Sequence, residues 1–186
     1  FATKTAVELA QDLIGCELHS QLDGVHTAGI ITETEAYHED EQGCHAYGGK
    51  RTKRTDIMYA EGGVAYIYLC YGMHHLFNVV CAQEDRAEAV LIRAIEPSIG
   101  IEHMLKRRNQ VKLNKKLTSG PARLTKALGI TTDLNKISLK PPQIWIEDRK
   151  TDHIQIDKSP RIGIGYAEND ALLPYRFTLR DSIWIT

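Results

Sequence analysis

The segment Ile31-Thr32-Glu33-Thr34-Glu35-Ala36-Tyr37 holds the residues best equipped for chemistry. In an extended strand alternate residues share a face, so Glu33, Glu35 and Tyr37 point the same way. A carboxylate beside a tyrosine suits a site that activates water next to a flat, stackable substrate. A solvated sheet face carrying two glutamates has the same pattern, and the segment alone does not separate the two readings. Arg93 interrupts the apolar run Val90-Leu91-Ile92-Arg93-Ala94-Ile95. A guanidinium there needs a carboxylate, for which Glu35 is a candidate, although a purely structural ion pair would look the same. Asn78, between Phe77 and Val79, is either a satisfied core amide or a specificity contact.

Aromatic residues form a second group. In Tyr66-Ile67-Tyr68-Leu69-Cys70-Tyr71 the first and third residues share a strand face, and Tyr71 falls on the other face beside Gly72. A large aromatic at a hairpin tip is hard to explain by packing and is suited to wedging into a base stack. Lys50, Arg51, Lys53 and Arg54 form one basic cluster; Lys106, Arg107, Arg108, Lys112, Lys115 and Lys116 form another. The acids gather elsewhere, at Glu39, Asp40 and Glu41 and at Glu84, Asp85 and Glu88. Each basic cluster also reads as solvated surface. His38, Cys44, His45, His74 and His75 show no recognised ligand spacing, so neither a metal nor another cofactor is expected. No serine sits in a nucleophile elbow, and no glycine run matches a phosphate loop.

The elements that position these groups are partly legible. Thr5 and Glu8 form a capping box ahead of Val7, Leu9, Leu13 and Ile14, and Gly15 is a stop, which predicts a helix over residues 5–14. Residues 16–20 and 25–37, around Leu22-Asp23-Gly24, predict a hairpin. Residues 38–63 have no sustained period and read as a long surface loop. Residues 64–71 and 75–81 flank Gly72-Met73 as a second hairpin, and 90–95 is a further strand. Residues 99–110 read as a basic helix, and Pro121 opens a helix that Gly129 closes. Two or three more strands are expected around Trp145, residues 162–166 and residues 177–185. Strands and helices do not alternate, so the expected class is α+β: one domain over residues 1–186, with a curved, largely antiparallel sheet flanked by helices and a protruding β-hairpin.

The 186-residue chain is long enough for one well-buried core, and its 42% hydrophobic and 25% charged residues are ordinary for a globular protein. No apolar stretch approaches the ~20 residues that span a bilayer. No membrane association is expected, and the four scattered cysteines read as reduced thiols. The net charge of −1 argues mildly against a nucleic-acid partner, so the distribution of charge matters more than its sum.

Taken together, Glu33-Thr34-Glu35-Ala36-Tyr37, His45 with Gly48-Gly49, Arg51-Thr52-Lys53-Arg54, the run from Tyr66 to His74, Asn78, Leu91-Ile92-Arg93-Ala94, Ser119-Gly120-Pro121 and Arg161-Ile162-Gly163-Ile164-Gly165 resemble the alkyladenine (3-methyladenine) DNA glycosylase family. They occur in the family's order and span nearly the whole chain. The resemblance implies a monofunctional enzyme of base excision repair that flips a damaged purine out of duplex DNA. Implied substrates are 3-methyladenine and 7-methylguanine, with hypoxanthine and ethenoadenine as further candidates. It implies that Glu35 deprotonates the attacking water, helped by Arg93 and the backbone carbonyl of Ile162. Tyr37, His45 and Tyr68 would sandwich the base, Asn78 would exclude the 2-amino group of guanine, and Tyr71 would fill the gap in the duplex. Thr52, Met58, Ser119, Gly120 and Arg123 match positions near the DNA backbone. The partner is then double-stranded DNA carrying damaged purines, bound by a monomer in the cytoplasm or nucleus.

Two other readings stay open on sequence. Glu33 and Glu35 are a carboxylate pair of the kind a carbohydrate glycosidase uses, and the same surface could belong to a lesion-binding module without catalysis.

Overall fold

The computed structural model describes residues 1–149 and 154–186. Its centre is β2 (Val25–His38), a strand long enough to serve two neighbourhoods. Asp23 and Gly24, both at positive φ, make the tight turn that folds β1 (Glu17–Leu22) back onto the first half of β2. Beyond Ile31 the register slips on either side of Glu33. Such a bulge bends and re-aims a strand. From Glu33 to Glu35 the neighbour on that edge is β8 (Arg176–Leu179) in place of β1. The two glutamates therefore sit where β2 exchanges partners.

The other edge of β2 pairs along most of its length with β5 (Glu88–Ile99). The path continues through β4 (His74–Val80) to β3 (Ala65–Cys70), and β6 (Ile144–Glu147) closes the far edge against β1. A short β7 (Ile156–Ser159) pairs with β8. Every pairing is antiparallel, and the sheet curls into a half-barrel. The α+β class is borne out.

Among the described residues three α-helices pack against it. In α1 (Ala6–Leu13) the capping box is present, and Leu9, Ala10 and Leu13 turn inward, with the Ala10 carbonyl accepting a hydrogen bond from Thr34 on β2. α2 (Ile101–Arg108) buries Met104, while α3 (Pro121–Leu128) starts on Pro121, ends on left-handed Gly129 and buries Leu124, Ala127 and Leu128. No helix among the described residues is long and apolar enough to cross a membrane. All four cysteines are free thiols, three of them buried.

The structure corrects three expectations. Residues 38–63 are more than a surface loop: they carry 3-10 turns at Tyr47–Gly49 and Asp56–Tyr59 and bury Cys44, Ala46, Ile57, Met58 and Tyr59 in a second cluster with Tyr66 and Ala89. These apolar residues follow neither helical nor strand period, so a pattern search passes over them. Residues 162–166 form no strand; Gly163 has φ 81°, and the Ile162 amide leaves any ladder to bond a side chain. The last strand stops at Leu179, where Asp181 turns at φ 61°.

Candidate active site

Glu33, Glu35 and Arg93 form the floor. Both carboxylates are fully buried, and Arg93 on β5 bridges them, its Nε donating to Glu33 Oε1 at 2.9 Å and its Nη1 to Glu35 Oε2 at 3.1 Å. Glu33 is saturated by three further donors: Arg176 Nε at 2.7 Å, the Thr186 amide at 2.7 Å and the Thr186 hydroxyl at 2.5 Å. Burial alone would raise its pKa, but these donors and the Arg93 charge outweigh it and hold the carboxyl below its ordinary value. Burial disfavours a charged Arg93, yet the two carboxylates keep its pKa raised.

Glu35 has different company. Its Oε1 accepts from the Ile162 amide at 2.7 Å, and its Oε2 accepts from the Tyr37 hydroxyl at 2.8 Å. The amide of Ile162 is thus the backbone group that touches Glu35; its carbonyl, to which the resemblance gives the attacking water, is a separate group. Tyr37 is pushed well above the ordinary phenol value by burial and then by the Glu35 charge, so it remains a donor.

In front of this floor lies a cavity of about 480 Å³, lined by Tyr37, His45, Tyr68, Asn78, Arg93 and Ile162 among others. Glu35 stands directly behind that lining: the side chains of Tyr37 and Arg93 and the backbone of Ile162 touch it and also line the cavity. His45 and Tyr68 meet edge to face at 4.8 Å, and the His45 ring is held by Tyr66, whose hydroxyl lies 3.0 Å from Nδ1. Burial, and then the Arg54 charge, lower the His45 pKa to about 4, which keeps the ring neutral at pH 7. Asn78 is buried and donates to the Tyr66 carbonyl at 3.0 Å, which fixes the orientation of its amide.

The remaining predicted residues divide. Tyr71 is 91% exposed at the β3–β4 turn, with φ 52°. A shallow apolar hollow joins it to Gly120 and Arg123 at the start of α3, and the Gly120 amide donates to the Arg93 carbonyl, so this corner adjoins the floor. Arg123 and Thr52 are exposed, but the side chains of Ser119 and Met58 are buried, and Met58 lines the cavity from within.

Sequence reasoning missed several parts. Glu41, grouped with surface acids, is buried and takes both Nη atoms of Arg161, at 2.7 and 2.6 Å. Arg161 in turn stacks 4.7 Å from the Tyr37 ring and braces it. Arg54, read as part of a uniform basic cluster, turns inward over Tyr68 at 4.7 Å and contacts His45 at 3.2 Å. Arg51 is neutralised by Asp56 and Asp85, both at 2.8 Å. Arg176 and Thr186 gave no signal, because their partner lies about 150 residues earlier.

A buried carboxylate behind an aromatic cavity, with an arginine clamp and an exposed tyrosine nearby, is compatible with more than one glycosyl chemistry. The sequence pattern described as methylpurine-DNA glycosylase (MPG) matches residues 1–183. The chain belongs to the methylpurine-DNA glycosylase family. A Chlamydia felis protein named "Putative 3-methyladenine DNA glycosylase" is 47% identical over 181 residues, covering 96% of this chain and 93% of its own. A Bacillus cereus protein of the same name is 43% identical over 182 residues, covering 92% and 89%. One from Clostridium acetobutylicum is 39% identical over 188 residues, covering 97% and 92%. Membership in the methylpurine-DNA glycosylase family makes damaged DNA the substrate and hydrolysis of an N-glycosyl bond the reaction, so the carbohydrate glycosidase and the non-catalytic module drop out.

Proposed function

We propose that this glycosylase excises purines alkylated on a ring nitrogen, 3-methyladenine and 7-methylguanine foremost, by flipping them into the aromatic cavity and hydrolysing the glycosidic bond with water activated by Glu35. The observation that carries this reading is the position of Glu35, buried behind a cavity walled by Tyr37, His45 and Tyr68 and held by donors that themselves line it. A volume of about 480 Å³ lies within the ordinary range for small-molecule sites.

Flipping costs a few kcal/mol, and stacking on aromatic rings, at ~1–3 kcal/mol per base, offsets it. A base alkylated on a ring nitrogen is a cation, and it favours the faces of tyrosine rings. Arg54 covers one face of Tyr68 in the free protein, so it has to swing out as the base enters. Glu35 accepts two hydrogen bonds on Oε2 and one on Oε1, so Oε1 keeps a lone pair for the attacking water beside the Ile162 amide. Ile162 is 44% exposed and precedes the turn at Gly163, which gives water a way to that oxygen. The base leaves as a neutral molecule without needing a proton from the enzyme, and Arg93 holds Glu35 in place. Tyr71 fills the space the nucleotide vacates, and Asn78, fixed on the Tyr66 carbonyl, weighs against the 2-amino group that guanine and 7-methylguanine share, a cost that the cationic ring of 7-methylguanine offsets on the tyrosine faces.

The test is to incubate the protein with methylated duplex DNA and analyse the released bases, with single-turnover rates followed against pH under saturating protein. Free 3-methyladenine and 7-methylguanine are expected, with a rate for 7-methylguanine that rises with pH and levels off. A bell-shaped profile for that cationic lesion would require an enzymic acid and contradict a single catalytic carboxylate.

A further inference from the structure

At the sheet edge farthest from the cavity, β1 and β6 bring together Glu17, His19 and Glu147. Glu17 and His19 share a face of β1, and Glu147 lies directly opposite Glu17 in the ladder. One potential ligand atom from each side chain falls within 4.8 Å of the others.

The arrangement around them is more specific than a cluster of acids. Each group has its outer heteroatom tied by a neighbour. Ser98 Oγ donates to Glu17 Oε1 at 2.5 Å, Trp145 Nε1 donates to Glu147 Oε1 at 2.8 Å, and His19 Nδ1 lies 3.1 Å from His26 Nε2. The indole of Trp145 also stacks on the His19 ring at 4.7 Å and 3°. What remains facing inward is Glu17 Oε2, Glu147 Oε2 and His19 Nε2. Glu17 and His19 are about 99% and 98% buried, and His19 Nε2, which has no hydrogen-bond partner among the described residues, lies 3.3 Å from Glu17 Oε2 and 3.7 Å from Glu147 Oε2. Outer contacts of this kind orient metal-binding imidazoles and carboxylates, and a His19 that donates through Nδ1 presents its Nε2 lone pair inward.

Arg149 supplies positive charge in the free chain: its Nη1 lies 2.9 Å from Glu17 Oε2, and its Nε 3.4 Å from Glu147 Oε2. Among the described residues one guanidinium faces these two carboxylates. Because the Arg149 side chain is about half exposed, it can retract into solvent without leaving a buried void.

We propose that Glu17, His19 and Glu147 form a binding site for a divalent first-row transition metal ion, which displaces Arg149 and staples β6 to β1. One imidazole and two carboxylates suit zinc and its neighbours better than magnesium or calcium, which favour all-oxygen shells. Three protein ligands leave room for a water on the side that Arg149 vacates. The site is separate from the glycosylase cavity, so its test does not depend on the reaction assigned there.

The experiment is calorimetric titration of the metal-free protein with zinc chloride, paired with thermal melts, for the wild type and for Glu147→Gln, His19→Gln and Arg149→Gln. One equivalent is expected to bind the wild type and, at a hundredfold excess over Kd, to raise Tm by about 5–10 °C. Glu147→Gln, at a partly exposed position that tolerates the change, should weaken binding at least tenfold, and so should His19→Gln. Arg149→Gln should tighten binding about tenfold by removing the internal competitor. Base excision by Arg149→Gln should be unchanged. Equal binding by wild type and Glu147→Gln would overturn the proposal, since the zinc would then be held elsewhere. So would failure of both wild type and Arg149→Gln to bind an equivalent, which would leave the cluster as an arginine clamp.

Discussion

At the floor of the cavity Glu33 and Glu35 are fully buried, and all four carboxylate oxygens accept hydrogen bonds from named donors. At the rim, Tyr71 is 91% exposed, Lys50 and Lys53 face solvent, and Thr52 and Arg123 are open. The two regions are joined through Arg93, whose side chain clamps the floor while its carbonyl holds Gly120 at the edge of the hollow below Tyr71. Charge buried at this level is tolerated only when it is paired and fixed. Exposed charge and an exposed aromatic ring cost little in the free protein and become useful when a polyanion with stacked bases arrives. On the proposed function the floor serves the chemistry and the rim holds DNA, and substitutions in each should fail in different assays.

The largest effect is expected at the floor. Arg93→Met leaves two buried carboxylates without their shared cation, which should cost about 3–5 kcal/mol of stability, seen as a lower urea midpoint at unchanged slope. A loss under about 1 kcal/mol would mean that the pairing hardly matters to the fold. Next, Tyr71→Ala should weaken binding to duplexes with a flipped lesion about tenfold, the scale of one lost stacking contact, and leave undamaged duplex nearly unaffected. Equal losses on both, measured by competition titration, would reduce Tyr71 to general surface. A smaller effect separates residues within the rim. Replacing Lys50 and Lys53 by alanine should make the plot of log affinity against log salt shallower by about 2, whereas Arg51→Ala should leave the slope alone, because Arg51 already spends its charge on Asp56 and Asp85. A change with Arg51→Ala equal to that of the lysine pair would show that DNA competes those pairs away.

What was legible in the sequence follows the same division. Period-two alternation placed Glu33, Glu35 and Tyr37 on one face, and a cation inside an apolar strand pointed to a carboxylate partner; both are local patterns with one physical reading once burial is granted. The capping box at Thr5 and the proline and glycine that bound α3 were legible for the same reason. The segment 38–63 was misread because its buried residues serve a cluster assembled from distant strands, and residues 162–166 because their backbone answers to Glu35 rather than to a ladder. The inward turn of Arg54, the seat of Arg161 beneath Tyr37 and the assembly of Glu17, His19 and Glu147 are long-range events that no spacing encodes.

The central claim rests on two carboxylates, two residues apart, that share one arginine but have different work. It is tested most directly by single-turnover excision of 7-methylguanine with Glu35→Gln and Glu33→Gln, with lesion binding and urea stability measured on the same preparations. Glu35→Gln should bind the lesion and lose about 10²–10⁴-fold in rate, the usual contribution of a general base. Glu33→Gln, which disturbs the contacts to Arg176 and Thr186, should lose stability more than rate. Retention of more than about a tenth of the wild-type rate by Glu35→Gln, on the scale that a general base contributes, would contradict the account, as would equal loss of rate in both variants with the fold intact.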